Sequence, residues 1–198
     1  MGNRGRFGKY GEKKRIERLN QARLEKIAHR GIRTPVPGSA RKRGRPVEMT
    51  LRPARPSDAD FIRDLSRKAF HKYGSYEFLL PRWFLSGSTM TTIVLWGKRR
   101  IGYAMFARIR PDSPSPRVSE LLAIAVEPGA RRQGAGDLLL KESLEKAREE
   151  GIDTLILHTA MDNLPGQALF RKHGFKPARV KESFYPEGQN ALAMVKDL

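Results

Sequence analysis

The sequence predicts an α/β (α+β) domain, a sheet with flanking helices, preceded by a strongly basic extension. Three observations carry that reading. First, Leu121 to Val126 is an apolar run too short for a helix, and it feeds a Pro-Gly turn, two arginines and a glycine pair. Beyond the turn, Leu140, Leu144 and Ala147 recur at helical spacing among charges. Second, the stretch from Leu155, LILHTAMDNLPGQALFRKHGF, repeats the pattern: a strand, a break at Asp162-Asn163, a short helix with Pro165 in its first turn, and a stop at Gly174-Phe175. Third, Met90 to Trp96 and Arg100 to Ile109 read as two strands of a hairpin around Gly97-Lys98-Arg99.

The remaining elements fall in order around these. Glu48 to Arg52 reads as a first strand, and Pro56-Ser57-Asp58 as the start of an amphipathic helix that reaches about Phe70. Tyr76 to Leu85 reads as a second helix. The hairpin follows, then a Pro-Ser loop from Pro111 to Pro116. After the two strand–turn–helix units, the chain closes on Ala178 to Phe184, a loop at Tyr185 to Asn190 and a last strand, Ala191 to Lys196.

Length and composition divide the 198 residues into an extension, 1–47, and one domain, 48–198. A domain of that size buries a core without staples. The absence of cysteine excludes disulfides, a thiolate zinc site and a Cys nucleophile. No apolar run approaches a membrane span, and the basic N-terminus lacks the apolar block of a signal peptide. Arg6 stands where a myristoylation motif starting at Gly2 needs Ser or Thr. These features lead us to expect a cytoplasmic protein with no membrane partner and no metal.

The net charge of +18 is unevenly placed, with +11 of it in the first 48 residues. Within that segment, Ile16, Leu19, Leu24 and Ile27 form one stripe between Glu12 and His29, which predicts a basic amphipathic helix. Gly31 to Pro46 is rich in Pro, Gly, Arg and Lys and reads as a flexible linker. Inside it, Arg43-Gly44-Arg45-Pro46 resembles the core of an AT-hook, in which arginines enter a narrow minor groove. The charge predicts a salt-sensitive affinity for polyanions, either nucleic acid or the ribosome, without specifying a target.

The turn between the first strand and helix of the pair is the primary candidate site. Backbone N–H groups at a helix N-terminus favour phosphate. A P-loop is excluded because Gly136 is followed by Asp137-Leu138 rather than Lys-Ser or Lys-Thr, and the dinucleotide fingerprint fails because Leu139 stands at its third glycine. What remains, Arg131-x-x-Gly134-x-Gly136 after a strand, resembles the acetyl-coenzyme A signature of the GNAT superfamily of N-acetyltransferases. Asn163, Phe170 and Gly174-Phe175 match a second motif of that family in the expected order. The resemblance implies a mixed, mostly antiparallel sheet whose two motif-bearing strands splay around the cofactor. It also implies that the turn Arg131, Arg132, Gln133, Gly134, Ala135 and Gly136 holds the pyrophosphate of acetyl-coenzyme A. Asn163 and Phe170 would flank the pantetheine, and the backbone of Ile124, Ala125 and Val126 would hold the thioester oxygen.

Such a reaction needs a base near neutrality and a proton for the leaving thiolate. His158 is the preferred base, since an imidazole in water titrates near 6.5. Glu120 is the second candidate, acting directly or through water. Both match positions of catalytic residues in members of the resembled family. Phe170 stands where that family commonly has a tyrosine acid, and Tyr185, water, or the stability of the thiolate itself remains to fill the role. Phe184-Tyr185, followed by a polar turn and Ala191-Leu192-Ala193-Met194, resembles the closing hairpin of ribosomal-protein and N-terminal acetyltransferases. There the aromatic pair lines a groove for a peptide N-terminus. Deprotonating an α-amine of pKa about 8 at pH 7 costs roughly 1 kcal/mol, against about 4 to 5 for a lysine, so a mild base suits the α-amine. The expected activity is acetyl transfer to a protein or peptide α-amine by direct attack in a ternary complex. A small-amine acetyltransferase and a nucleic-acid- or ribosome-associated factor with a binding-only acyl-coenzyme A domain stay open.

Overall fold

The structure, a computed structural model, describes residues 48–108 and 116–198. The expected amphipathic helix, the Arg-Gly-Arg-Pro linker and most of the Pro-Ser loop lie outside the described residues. In chain order the elements are β1 (Met49–Pro53), a 3₁₀ turn (Pro56–Asp58), α1 (Ala59–Phe70), a second 3₁₀ turn (His71–Tyr73) and α2 (Tyr76–Leu85). Then come β2 (Thr89–Trp96), β3 (Arg99–Ala107), β4 (Val118–Val126), a third 3₁₀ turn (Pro128–Ala130) and α3 (Ala135–Glu149). The last elements are β5 (Thr154–Ala160), α4 (Leu164–Lys172), β6 (Lys176–Lys181) and β7 (Ala191–Asp197).

The strands form one seven-stranded sheet in the order β1-β2-β3-β4-β5-β7-β6. Every neighbouring pair is antiparallel except β4 and β5, which run parallel. Parallel pairing needs a crossover, and α3 supplies it. Strand alternation then sorts the two faces. On β3, Tyr103 and Met105 pack with Ile62, Leu65 and Leu80 of α1 and α2, while Phe106 packs with Leu140, Leu144 and Phe170 of α3 and α4.

Two local features position the site. Met105 of β3 lies opposite Ala123, but Phe106 lies opposite Leu121, so Leu122 is an extra residue in β4. This bulge switches parity: Leu121 faces α3, whereas Ala123 and Ala125 face α1 and α2. Behind the sheet edge, Asp58 is 1% exposed and ties β1 and β3 to the start of α1. It accepts from Arg52 at 2.7 and 2.9 Å, from the Arg55 N–H at 2.8 Å and from Arg100 at 3.1 Å. The Arg52 hydrogen bonds, overcoming burial, hold its carboxyl well below the usual carboxylate range.

One element departs from expectation. The strand expected over Ala178 to Phe184 ends at Lys181, and Phe184 and Tyr185 leave the sheet. Ser183 adopts a positive φ of 48°, and its N–H donates to Asn190 Oδ1 at 2.9 Å. That turn stops the ladder and frees both aromatic rings to fold inward.

Candidate active site

The site exists because β4 and β5 part company. Their ladder pairs Val118–Leu121 with Thr154–Leu157 and goes no further. The Glu127 N–H donates to Ile101 of β3 at 2.8 Å, so alternation turns the N–H groups of Ile124 and Val126 away from β3 and into the gap. Buried amides need partners, and here nothing in β5 supplies them. The gap widens into a cleft of about 950 Å³ that runs from the Arg131–Gly136 turn to Tyr73 and Trp83.

At one end stands the turn before α3. Arg131 Nε donates to the Val126 carbonyl at 3.0 Å, fixing the turn to the end of β4. Arg132 and Gly134 take positive φ values of 63° and 90°, and no side chain caps the 15-residue helix that follows. Its first N–H groups are therefore open to a ligand, with the helix dipole behind them. No atom lies within 4 Å of where a Gly134 Cβ would be, so the backbone is exposed to close approach. Arg131, Arg132, Gly134 and Gly136 line the cleft, whereas Gln133 is exposed outside it and Ala135 is buried beneath the turn. This donor set fits a pyrophosphate. Asp137, also lining the cleft, would oppose that charge alone, but Lys172 pairs with it at 2.8 Å and His173 Nε2 lies 2.9 Å from the same oxygen, and its pKa is depressed, above all by the Lys172 hydrogen bond.

The wall of the cleft is α4. Asn163 lines it, yet its side chain is already engaged: Oδ1 accepts the Gly166 N–H at 3.2 Å and Nδ2 donates to Thr159 Oγ1 at 3.0 Å. It is the N-cap of α4 and ties the helix to β5. Phe170, 5% exposed, faces the cleft from within the core and packs edge-on against Phe175. It contributes no proton.

At the other end the two base candidates meet. Glu120 pairs with Ile156 across the last rungs, so Glu120 and His158 share a face as diagonal neighbours. Glu120 Oε1 lies 2.7 Å from His158 Nδ1. A carboxylate there accepts the Nδ1 proton and leaves Nε2 as the basic nitrogen of the neutral ring. Phe184 stacks on the imidazole with centroids 4.5 Å apart and planes 18° apart, and Lys181 Nζ lies over the ring of Phe184. The His158 side chain is consequently only 8% exposed, against 36% for Glu120.

Around this pair stand Tyr185, one of the candidate proton donors, and groups that the sequence did not single out. Tyr73, Tyr76 and Tyr185 cluster there, with centroids 4.9 Å apart for Tyr73 and Tyr185 and 6.5 Å for Tyr76 and Tyr185. Burial pushes all three hydroxyls up, and the Glu120 charge adds to the effect at Tyr76. Tyr185 is thus protonated near neutrality and suited to donating a hydrogen bond; outright loss of its proton is disfavoured. Lys72 and the Tyr73 hydroxyl each donate to Asp162 at 2.8 Å, joining the turn after α1 to the loop after β5. Lys72, above all, holds the Asp162 pKa down. These partners lie about ninety residues apart, and only the break at Asp162-Asn163 hinted at them. Among the described residues no cluster of three His, Asp or Glu side chains could hold a metal ion.

Comparisons with known proteins agree with this geometry. An N-alpha-acetyltransferase of Saccharolobus solfataricus is 26% identical over 158 residues, covering 76% of this chain and 94% of its own. The [ribosomal protein bS18]-alanine N-acetyltransferase of Escherichia coli strain K12 is 35% identical over 66 residues, 33% of this chain and 45% of its own. The structure of yncA from Salmonella typhimurium, solved with its cofactor acetyl-CoA, superposes with a TM-score of 0.63 at 18% identity, over 76% of this chain and 94% of that one. The pattern of the Acetyltransferase (GNAT) family matches residues 59–175, which is more than half of the sequence, and the chain belongs to that family of acetyltransferases.

Proposed function

We propose that this acetyltransferase moves an acetyl group from acetyl-coenzyme A to the α-amine of a protein or peptide N-terminus, by direct attack in a ternary complex. The observation that carries the reading is the Glu120–His158 pair at 2.7 Å, placed where the splayed strands open toward the aromatic end of the cleft. The N-alpha-acetyltransferase relative, aligned over most of both chains, supports the same acceptor.

The chemistry follows from these groups. The turn at Arg131–Gly136 would take the pyrophosphate, and the N–H groups of Ile124 and Val126 face the gap where the pantetheine and thioester belong. His158 Nε2 removes one proton from the ammonium, Glu120 stabilising the resulting imidazolium. The free amine attacks the thioester carbonyl, and an amide N–H in the gap stabilises the oxyanion. Collapse breaks the C–S bond; of the two protons on the nitrogen, one passes to the thiolate, directly or across a hydroxyl such as that of Tyr185 or a water, and the other stays on the amide. With Phe170 in place of a tyrosine, a free thiol pKa of about 8.5 leaves little to be supplied by an acid.

A polyamine or antibiotic acceptor would call for free carboxylates around the groove. Of the two at this end, Asp162 has both oxygens engaged by Lys72 and Tyr73, which favours the peptide. The charge of +11 on the first 48 residues supports a polyanionic partner, nucleic acid or ribosome, with salt-dependent affinity as its signature. Coenzyme A release by the full chain with short unblocked peptides, against spermidine and N-blocked lysine peptides, tests the acceptor. Turnover confined to the small amine would contradict the proposal.

A further inference from the structure

The cleft does not stop at the base. Beyond Glu120 and His158 it continues between α1, α2 and the bulge of β4, lined by Ala69, Phe70, Tyr76, Trp83 and Leu122. These five side chains are partly buried and pack on the core cluster of Ile62, Leu65 and Leu80, so their positions are fixed by tertiary packing. An unbroken series of aromatic contacts leads from the base into this lobe. His158 stacks on Phe184, Phe184 meets Tyr185 at 5.1 Å, Tyr185 meets Tyr76 at 6.5 Å, and Tyr76 meets Phe70 at 5.8 Å.

The five residues that line the lobe are chiefly apolar. The Tyr76 hydroxyl is the one polar side-chain group among the five besides the Trp83 indole N–H, and it lies close enough to Glu120 to feel its charge. Lys72 and Asp162 bind each other at the rim and bring no charge into the lobe. An acceptor whose α-amine sits at His158 has its first side chain one carbon away. That side chain is the group that can enter a lobe opening beside the base.

We infer that this lobe selects the first residue of the acceptor, and that it takes a large apolar side chain of the methionine, leucine or phenylalanine class. The inference rests on the α-amine reading above. Ala69 is the smallest of the five lining side chains, and a larger residue there would take up part of the lobe. A charged first side chain would be desolvated there without a partner, and a small one would leave the aromatic walls wet. Burying a large apolar side chain is worth roughly tenfold to a hundredfold in kcat/KM over alanine.

The test is a panel of peptides identical except for the first residue, Met, Leu, Phe, Ala, Ser, Asp or Lys, assayed with the full chain by coenzyme A release. The expected result is kcat/KM higher for Met, Leu and Phe than for Ala and Ser by about tenfold or more, with Asp and Lys lowest. Ala69→Leu should cut the ratio of Met-peptide to Ala-peptide kcat/KM by about tenfold, a ratio that partial loss of folded protein does not move. A flat profile, a preference for Ala or Ser, or an unchanged ratio in Ala69→Leu would overturn the inference while leaving α-amine transfer intact. Failure to acetylate any peptide of the panel would overturn the α-amine reading itself, and this inference with it.

Discussion

Glu120 Oε1 sits 2.7 Å from His158 Nδ1, at the point where β4 and β5 cease to pair. The same separation that opens the cleft therefore sets the orientation of its base. His158→Ala should lower kcat/KM by about a hundredfold to ten-thousandfold with a much smaller change in KM for acetyl-coenzyme A. Glu120→Gln, which keeps the shape but not the charge that favours the imidazolium, should cost about tenfold, mostly in kcat. Steady-state kinetics on both variants checks this; full activity in both would remove the pair from the mechanism.

Asn163 lines the cleft but spends its amide on capping α4 and holding Thr159. Asn163→Ala should lower stability by about 1 kcal/mol, as loss of an N-cap does. KM for acetyl-coenzyme A should change less than threefold, on the order of a few tenths of a kcal/mol. Thermal unfolding and donor titration separate the two roles: a large rise in KM with unchanged stability would make Asn163 a cofactor ligand instead.

Asp58 gives the fold a pH dependence of definite sign. Its carboxyl is held below the unfolded value of about 3.9, so the stabilisation is complete above that value and fades as pH falls toward the folded one. Because Arg52 and Arg100 keep partial access to water, Asp58→Asn should cost about 2 to 3 kcal/mol at neutral pH, below the range for a wholly buried pair. Urea unfolding at pH 7 and at about pH 3 should show that difference shrinking in acid. An equal difference at both values would mean that the carboxylate charge contributes nothing.

What the sequence disclosed and what it withheld divide along sequence distance. The turn Arg131–Gly136, the break at Asp162-Asn163 before Pro165 and the Tyr76–Leu85 helix are local patterns, and each stood out because spacing, glycine and proline act within a few residues. Glu120 and His158 were separately legible as strand residues of the right chemistry. That Glu120 pairs with Ile156, and so faces His158, is a fact of parallel register, which no local pattern encodes. The stacking of Phe184 on His158 depended on the strand ending at Lys181, and the Ser183 turn gives no propensity signal for that. The link from Lys72 and Tyr73 to Asp162 joins segments brought together only by the crossover through α3.

The most direct test uses one peptide that carries both a free α-amine and an internal lysine, incubated with the full chain and acetyl-coenzyme A. Fragment masses then locate the acetyl group. Acetyl on the α-nitrogen, with coenzyme A released in equal amount and the signal reduced in His158→Ala, is the predicted result. Acetyl on the lysine, or coenzyme A release that does not depend on His158, would contradict the account.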